Sequence, residues 1–553
     1  WIGSGAEITS KNSDILVVAV DTTSIQDVTG DVSASGIASA GASSDETYVV
    51  VVASAGISTV MAANGAVSVV VITNTTIAEI QSAILNADGS IAVWAEDTQN
   101  LFAVAGAANA AVNPTGGMSA AAGVVVVRAS NQVRALIRSN AQLNALGKTG
   151  ISFYTGALSG SEGQKNRSRV RAMQKGILIG AFNDNRLTTV AASGSVSIGG
   201  AASAATVTVI SSAKTIAQVE SGARLNQNSR EGEDRSSVVK VIAMDSSEED
   251  VAAGGAAASI VAGAGTIVVL HLTKTVNAFL NGTVYAPGDI IVLAVSDNNA
   301  FLASASLGAG LVGGAGSVSV LNMENTVDSA LGGSIRANGV VSVEVCSRQY
   351  ITTGALGVSG GAKALGGAVA TILFKSQATA KVLDNAVITA ASLKVNAQSK
   401  EHISGNVAAA AAGTGAASGS LVLIIADSQT KALTGKNVTI NLTGDLNILA
   451  SDTADINMTA GTVSGGGIAA GGAAGVLIFK NTVLAEVGQN NQIYAGNLNL
   501  KAESIRNITS YVLAGSAGGA AVSGSVLVIL VGSKADSDST TALGSLAATS
   551  QAS

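Results

Sequence analysis

The chain has 553 residues and a net charge of −6, and only 12 % of it is Asp, Glu, Lys or Arg, about half the usual share. With 47 % apolar residues, rich in Val, Ile and Ala, it cannot be read as disordered, and its acidic balance argues against nucleic acid as a partner. The single Cys346, in the strand-like run Val341-Ser-Val-Glu-Val-Cys346, excludes a disulfide framework within the chain and reads as a small buried side chain.

In chain order, residues 1–24 carry one copy of the second of two strands that recur below, at Ile15-Leu-Val-Val-Ala-Val-Asp21, followed by a polar, irregular stretch over 25–46. A full unit occupies 48–95, with strands over 76–80 and 91–95. The next unit is swollen by an insertion at 150–187, whose centre reads SGSEGQKNRSRVRAMQKG. It holds the main cationic cluster, Lys165, Arg167, Arg169, Arg171 and Lys175. A smaller insertion, around LNQNSREGEDRSS, lies within 221–237. From Val251 onward the units are regular.

Each unit has four parts, clearest between Gly465 and Ser504. A Gly/Ala-rich segment leads into an aliphatic run (Gly475-Val-Leu-Ile-Phe479). An alternating strand (Thr482-Val-Leu-Ala-Glu-Val487) and a polar turn follow, then a second alternating strand (Leu498-Asn-Leu-Lys-Ala502). Anchors in the first strand fall at Ala78, Ala135, Ala217, Ala278, Ser329, Ala380, Ala432, Ala485 and Ala535, the last six spaced 51, 51, 52, 53 and 50 residues apart. The second strand repeats independently at Ala294, Val345, Ala397, Ala450 and Ala502. Two unrelated markers with one period indicate a stacked array.

The expected fold is all-β: a parallel β-solenoid, or β-helix, of about 52-residue repeats with a flattened coil and Gly/Ala-rich packing. Residues 1–553 form one continuous array, expected to be a slice of a longer polypeptide, with 150–187 and 221–237 as insertion loops. The runs at Val422-Leu-Ile-Ile425 and Val526-Leu-Val-Ile-Leu-Val531 are apolar on both faces, so they are expected inside and covered on both sides, with Gly/Ala segments as a thin cover. One repeat should make one large rung. Two rungs per repeat would set Gly/Ala stretches above alternating strands and break every column of like residues. An uncharged run over 403–426 is long enough to span a bilayer, but its Ala, Gly and Ser partition weakly into hydrocarbon and it lacks aromatic belts. No membrane-spanning segment is expected.

Chemistry is sparse. His271 and His402 have no Cys or His at ligand spacing. Asp21, Asp97, Asp245, Asp297 and Asp452 follow the second strand and read as turn caps rather than as clustered calcium ligands. Gly147-Lys148-Thr149 matches the end of a phosphate loop, but Gln142 stands where its first glycine belongs. A pectate-lyase-like cleft would need clustered Asp, Lys or Arg with aromatics to stack a sugar ring, and the 165–175 loop lacks the aromatics. The reading is therefore no enzyme, with no catalytic, cofactor-binding or metal residues and no cofactor.

Asn325-Thr326-Val327, Asn481-Thr482-Val483-Leu484-Ala485 and Ile448-Leu-Ala450-Ser-Asp452-Thr453, each beside a Gly/Ala segment, resemble the long repeats of giant bacterial surface adhesins. The likeness, from residue 48 on, is to the leukotoxin-type filamentous adhesins, loosely related to filamentous haemagglutinin. It implies export across a diderm envelope and display outside the cell. The function expected is that of a structural, fibre-forming segment supporting adhesion, cell contact or a sheath, with self-association into a fibre or layer. The alternative is a module that binds a glycan or a partner cell surface through its insertion loops.

Overall fold

The structure is a computed structural model that describes residues 1–21, 36–38, 46–113, 116–227 and 231–532. The Ala535 anchor and most of 25–46 lie outside these residues. Among the described residues there is no helix, and none therefore long and apolar enough to cross a membrane. Twenty-three strands join in one parallel sheet, and two more pair as an antiparallel hairpin. The chain is a parallel β-solenoid.

One repeat makes one coil. Ala432 pairs in register with Ala485 and with Ala380, and the same column continues through Ser329, Ala278, Ala217 and Ala135 to Ala78. Successive anchors are thus one strand spacing apart, about 4.8 Å.

A typical coil runs out along Ile290–Ala309, turns at Gly310 and Leu311, returns along Val312–Ala337, and closes into Val340–Gly360. Twenty extended residues span roughly 65 Å, so each coil is a wide, flat loop of an outgoing and a return strand. Stacked coils make a slab of two facing parallel sheets. At the closing end the sheets enclose Ile290, Val292 and Ala294 against Val327, Leu331 and Ile335. Nearer the middle, Ala300 and Leu302 face Leu321 and Met323 in a second core. Toward the tip mainly alanine, glycine, serine and threonine point inward, and hydroxyls meet across the gap, as Ser304 with Ser319 at 2.8 Å.

The Gly/Ala segments belong at this tip because the chains come too close for a side chain. A Cβ on Gly413 would stand 1.8 Å from the Gly361 carbonyl oxygen of the coil below, and one on Gly466 would meet Gly413 at 1.6 Å. At the closing end Asn385, Asn437 and Asn490 stack in the left-handed conformation, with φ near +60° (60°, 56° and 57°). That conformation suits asparagine and sets the turn.

One expectation is corrected. The aliphatic runs are not covered on both sides. Val422 and Ile424 are buried, whereas Leu421, Leu423 and Ile425 point to the outer face of the return sheet. Strand alternation sends every second side chain outward, and the Gly/Ala segments face one another at the tip instead of lying over that surface. The insertion bounds also resolve: 151–174 is a hairpin, and Gly176–Ser197 already belongs to the next outgoing strand. Within 221–237, the chain rejoins the return strand after a register shift between Val219 and Ala223, and residues 228–230 are outside the described ones.

Candidate functional site: a docked hairpin and a buried polar band

Ile151–Leu158 and Arg169–Gln174 pair antiparallel and lie on the outer face of the outgoing sheet. Phe153, Tyr154 and Leu158 cover a patch made by Leu178, Phe182, Ile242, Met244 and Val295. The rings of Phe153 and Tyr154 sit 5.6 and 4.3 Å from that of Phe182. An outward apolar patch on the outgoing face thus finds its cover in the insertion.

The cations of the insertion bind the body of the slab. Arg169 and Arg171 both reach Glu96 at 3.0 Å, Arg167 reaches Asp297 at 2.8 Å, and Lys165 reaches Asp250 at 2.5 Å. Lys175 pairs with Asp234 at 2.6 Å. At the hairpin's far end Glu162 accepts from Lys400 at 2.9 Å and lies 3.2 Å from Arg348. The hydrogen bond from Lys400 outweighs desolvation and holds the Glu162 carboxyl below its usual range. Burial dominates at Asp297, against Arg167 and Arg348, and pushes its carboxyl up. Thr98, Asp184, Ser246, Asp297, Arg348 and Lys400 form one column of adjacent coils. The hairpin, joined to Thr98 through Arg169 and to Lys400 through Glu162, therefore lies along the stack and ties six coils together over roughly 24 Å.

Beneath it, Lys240 is buried and donates to the carbonyls of Tyr154 and Thr155 and to Gln174 at 3.1–3.3 Å. Burial without a carboxylate partner brings it down to about 8. Cys346 lies under the same cover, and burial raises its thiol.

The second feature is internal. Between the two apolar cores runs a band of inward polar side chains. Asp97, Asn183, Asp245, Ser296, Ser347, Ser399 and Asp452 stack on the outgoing sheet. Asn131, Lys274, Asn325, Ser376, Ser428 and Asn481 face them from the return sheet. Asn131 donates to Gln99 at 2.9 Å, Asn298 to Gln349 at 2.9 Å, Ser296 to Asn325 at 3.0 Å and Asn481 to Ser504 at 3.1 Å. Lys274 and Glu249 form an ion pair at 3.1 Å with neither side chain exposed.

The turn-cap reading of the aspartates fails here. Asp97, Asp245 and Asp452 are fully buried in mid-strand, and Asp297 faces the hairpin; the Asp21 side chain is outside the description. The missed signal was positional. Asp97, Asp245 and Asp452 each stand two residues after the second-strand alanine, and Asn131, Asn325 and Asn481 four before the first-strand anchor. A fixed offset inside an alternating strand marks one inward column.

His402 contacts Asp455 at 3.1 Å on a half-exposed surface, and His271 lies 3.4 Å from the Thr273 hydroxyl. Lys148 of the phosphate-loop-like run sits 3.7 Å from Asp88. Among the described residues no three of His, Cys, Asp or Glu could together hold a metal ion. No family model, no curated protein and no solved structure matches the chain.

Proposed function

We propose that the chain is a structural segment of a fibre- or sheath-forming protein displayed on a bacterial cell surface, supporting adhesion or cell contact. The observation that carries this reading is the unbroken register from Ala78 to Ala485, in which each repeat adds one coil in line with the last. Such a stack grows by adding copies and needs no other partner to extend. Each coil of about 52 residues adds only about 4.8 Å of length but roughly 65 Å of width. That proportion suits a broad ribbon or layer.

The alternative, ligand capture through the insertions, draws less support from the geometry. The cations that suggested it are each paired with a carboxylate of the chain, Lys175 with Asp234 of the second insertion and the others with the slab, and the hairpin reads as a clasp. The test of display is immunogold labelling of intact, unpermeabilised source cells with antibodies to this chain. Label outside the envelope is expected. Label found only after permeabilisation would overturn the reading.

A further inference from the structure

The two outer faces of the slab differ in cover. The outgoing face carries the hairpin, whereas the return face carries nothing from the described chain. Beside the tip its outward residues form a groove and a ridge. The groove is a glycine column, Gly265, Gly316, Gly367, Gly419, Gly472 and Gly524. Nothing lies within 4 Å of where a Cβ would stand at Gly265, Gly316, Gly472 or Gly524. Over the later coils this hollow measures about 720 Å³. The ridge begins two residues further on, with Ile267, Val318, Val369 and Leu421, and broadens to Leu373 and Ile425. From Val261 onward no Lys, Arg, Asp or Glu stands in these columns.

We propose that this face receives a second copy of the chain, packed face to face about a two-fold axis parallel to the stacking direction. Such an axis, running along the Val318–Val369–Leu421 column, sets that column against its own copy and carries the next outward one, Val269, Val320, Thr371 and Leu423, over the glycine column of the other. The face is self-complementary under that operation, as an isologous contact must be. It also keeps both stacks pointing the same way, so coils of equal spacing meet coil for coil. A partner without that 4.8 Å period would lose register within a few layers. Five columns over these six coils span roughly 33 by 29 Å, about 950 Å² per copy, against roughly 800 Å² per partner in a standard stable interface. The inference deepens the structural reading by naming the surface through which ribbons would widen into a layer.

The glycines make the test clean, because a side chain there projects into open space and leaves the coil intact. Sedimentation equilibrium of the purified chain at about 10 μM should show a dimer, the concentration range in which an interface of this size holds. Gly316→Glu/Gly367→Glu/Gly419→Glu should weaken association by at least about 100-fold, with an unchanged far-ultraviolet spectrum. Gly194→Glu/Gly254→Glu, equally open positions on the outgoing face, should leave it intact. A monomeric parent chain, or association that survives the return-face variant, overturns the proposal. A second measurement stands apart from the folding of the triple variant. In a Cys346→Ala background, Val369→Cys on the axis should form an intermolecular disulfide under mild oxidation, and Gln377→Cys, far from it, should not. Equal cross-linking at both, or none at either, also overturns it. Cell-surface labelling is unaffected by these outcomes, so the two readings fail separately.

Discussion

Two buried acidic sites share one polar band and are solved differently. In the first, Lys274 pairs with Glu249 and also feels the charge of Asp245. Burial works against charge on Lys274, but the two carboxylates outweigh it and its pKa is raised. At Glu249 burial, helped by repulsion from Asp245, prevails over Lys274 and its carboxyl is pushed up. In the second site Glu401 is also fully buried but has no lysine, only the hydroxyls of Ser399 and Ser428 at 2.9 and 2.5 Å. Burial and the neighbouring Asp452 drive Glu401 to about 8, and burial drives Asp452 to about 6 despite hydrogen bonds from Asn481 and the charge of Arg506. The same band can thus hold a buried acid by compensating charge or by keeping it protonated. The first is fixed by sequence, the second depends on pH.

The largest effect should come from removing the cation. Lys274→Met leaves buried carboxylates uncompensated and should cost about 3–5 kcal/mol, read from the denaturation midpoint or amide exchange around 245–275. An unshifted midpoint would mean that the first site is not ionic and would erase the contrast.

The second site should make stability depend on pH. An acid whose folded pKa is raised stabilises fully below its unfolded value and loses that contribution as pH rises through the folded one. For Glu401 the window runs from 4.5 to about 8, and for Asp452 from 3.8 to about 6. At about 1.4 kcal/mol per unit, Glu401 alone should cost the parent chain about 3–4 kcal/mol between pH 5 and pH 8. Glu401→Gln should flatten the curve, and a parent curve that climbs over this range would contradict the assignment.

A smaller effect sharpens the first site. Adding Glu249→Leu to Lys274→Met should return part of the loss, with a coupling energy of about 1–3 kcal/mol in a double-mutant cycle. Additive losses would show that the two side chains do not act as a pair. The smallest effect sets the baseline. Lys394 and Glu344 pair at 3.1 Å on the surface, where water screens them, and Lys394→Ala should cost under about 1 kcal/mol. A loss as large as that of Lys274→Met would mean that burial is not what separates the sites.

Much of the fold was legible because stacking writes itself into sequence as a period. The spacing from Ala278 to Ala485 set the coil size, and the alternation in Thr482–Val487 told inside from outside, with Val483, Ala485 and Val487 packed on the core. The Asn-Thr-Val motif was visible as a repeat, but not as the return-sheet half of a polar band. Alternation says which side chains point inward, not what they meet there.

What only the tertiary structure decided are the pairings between segments far apart in the chain. Asn131 meets Gln99, Lys274 meets Glu249, and Glu162 meets Lys400 across 238 residues. The cationic insertion looked like a free binding loop because its carboxylate partners are scattered over coils from Glu96 to Asp297. Likewise, whether Leu421 and Leu423 are covered depended on where the Gly/Ala segments fold, at the tip or over the sheet. Period and alternation are local properties of a strand, and the sequence carries them alone. Which strands face each other, and across what gap, follows from how the whole coil closes.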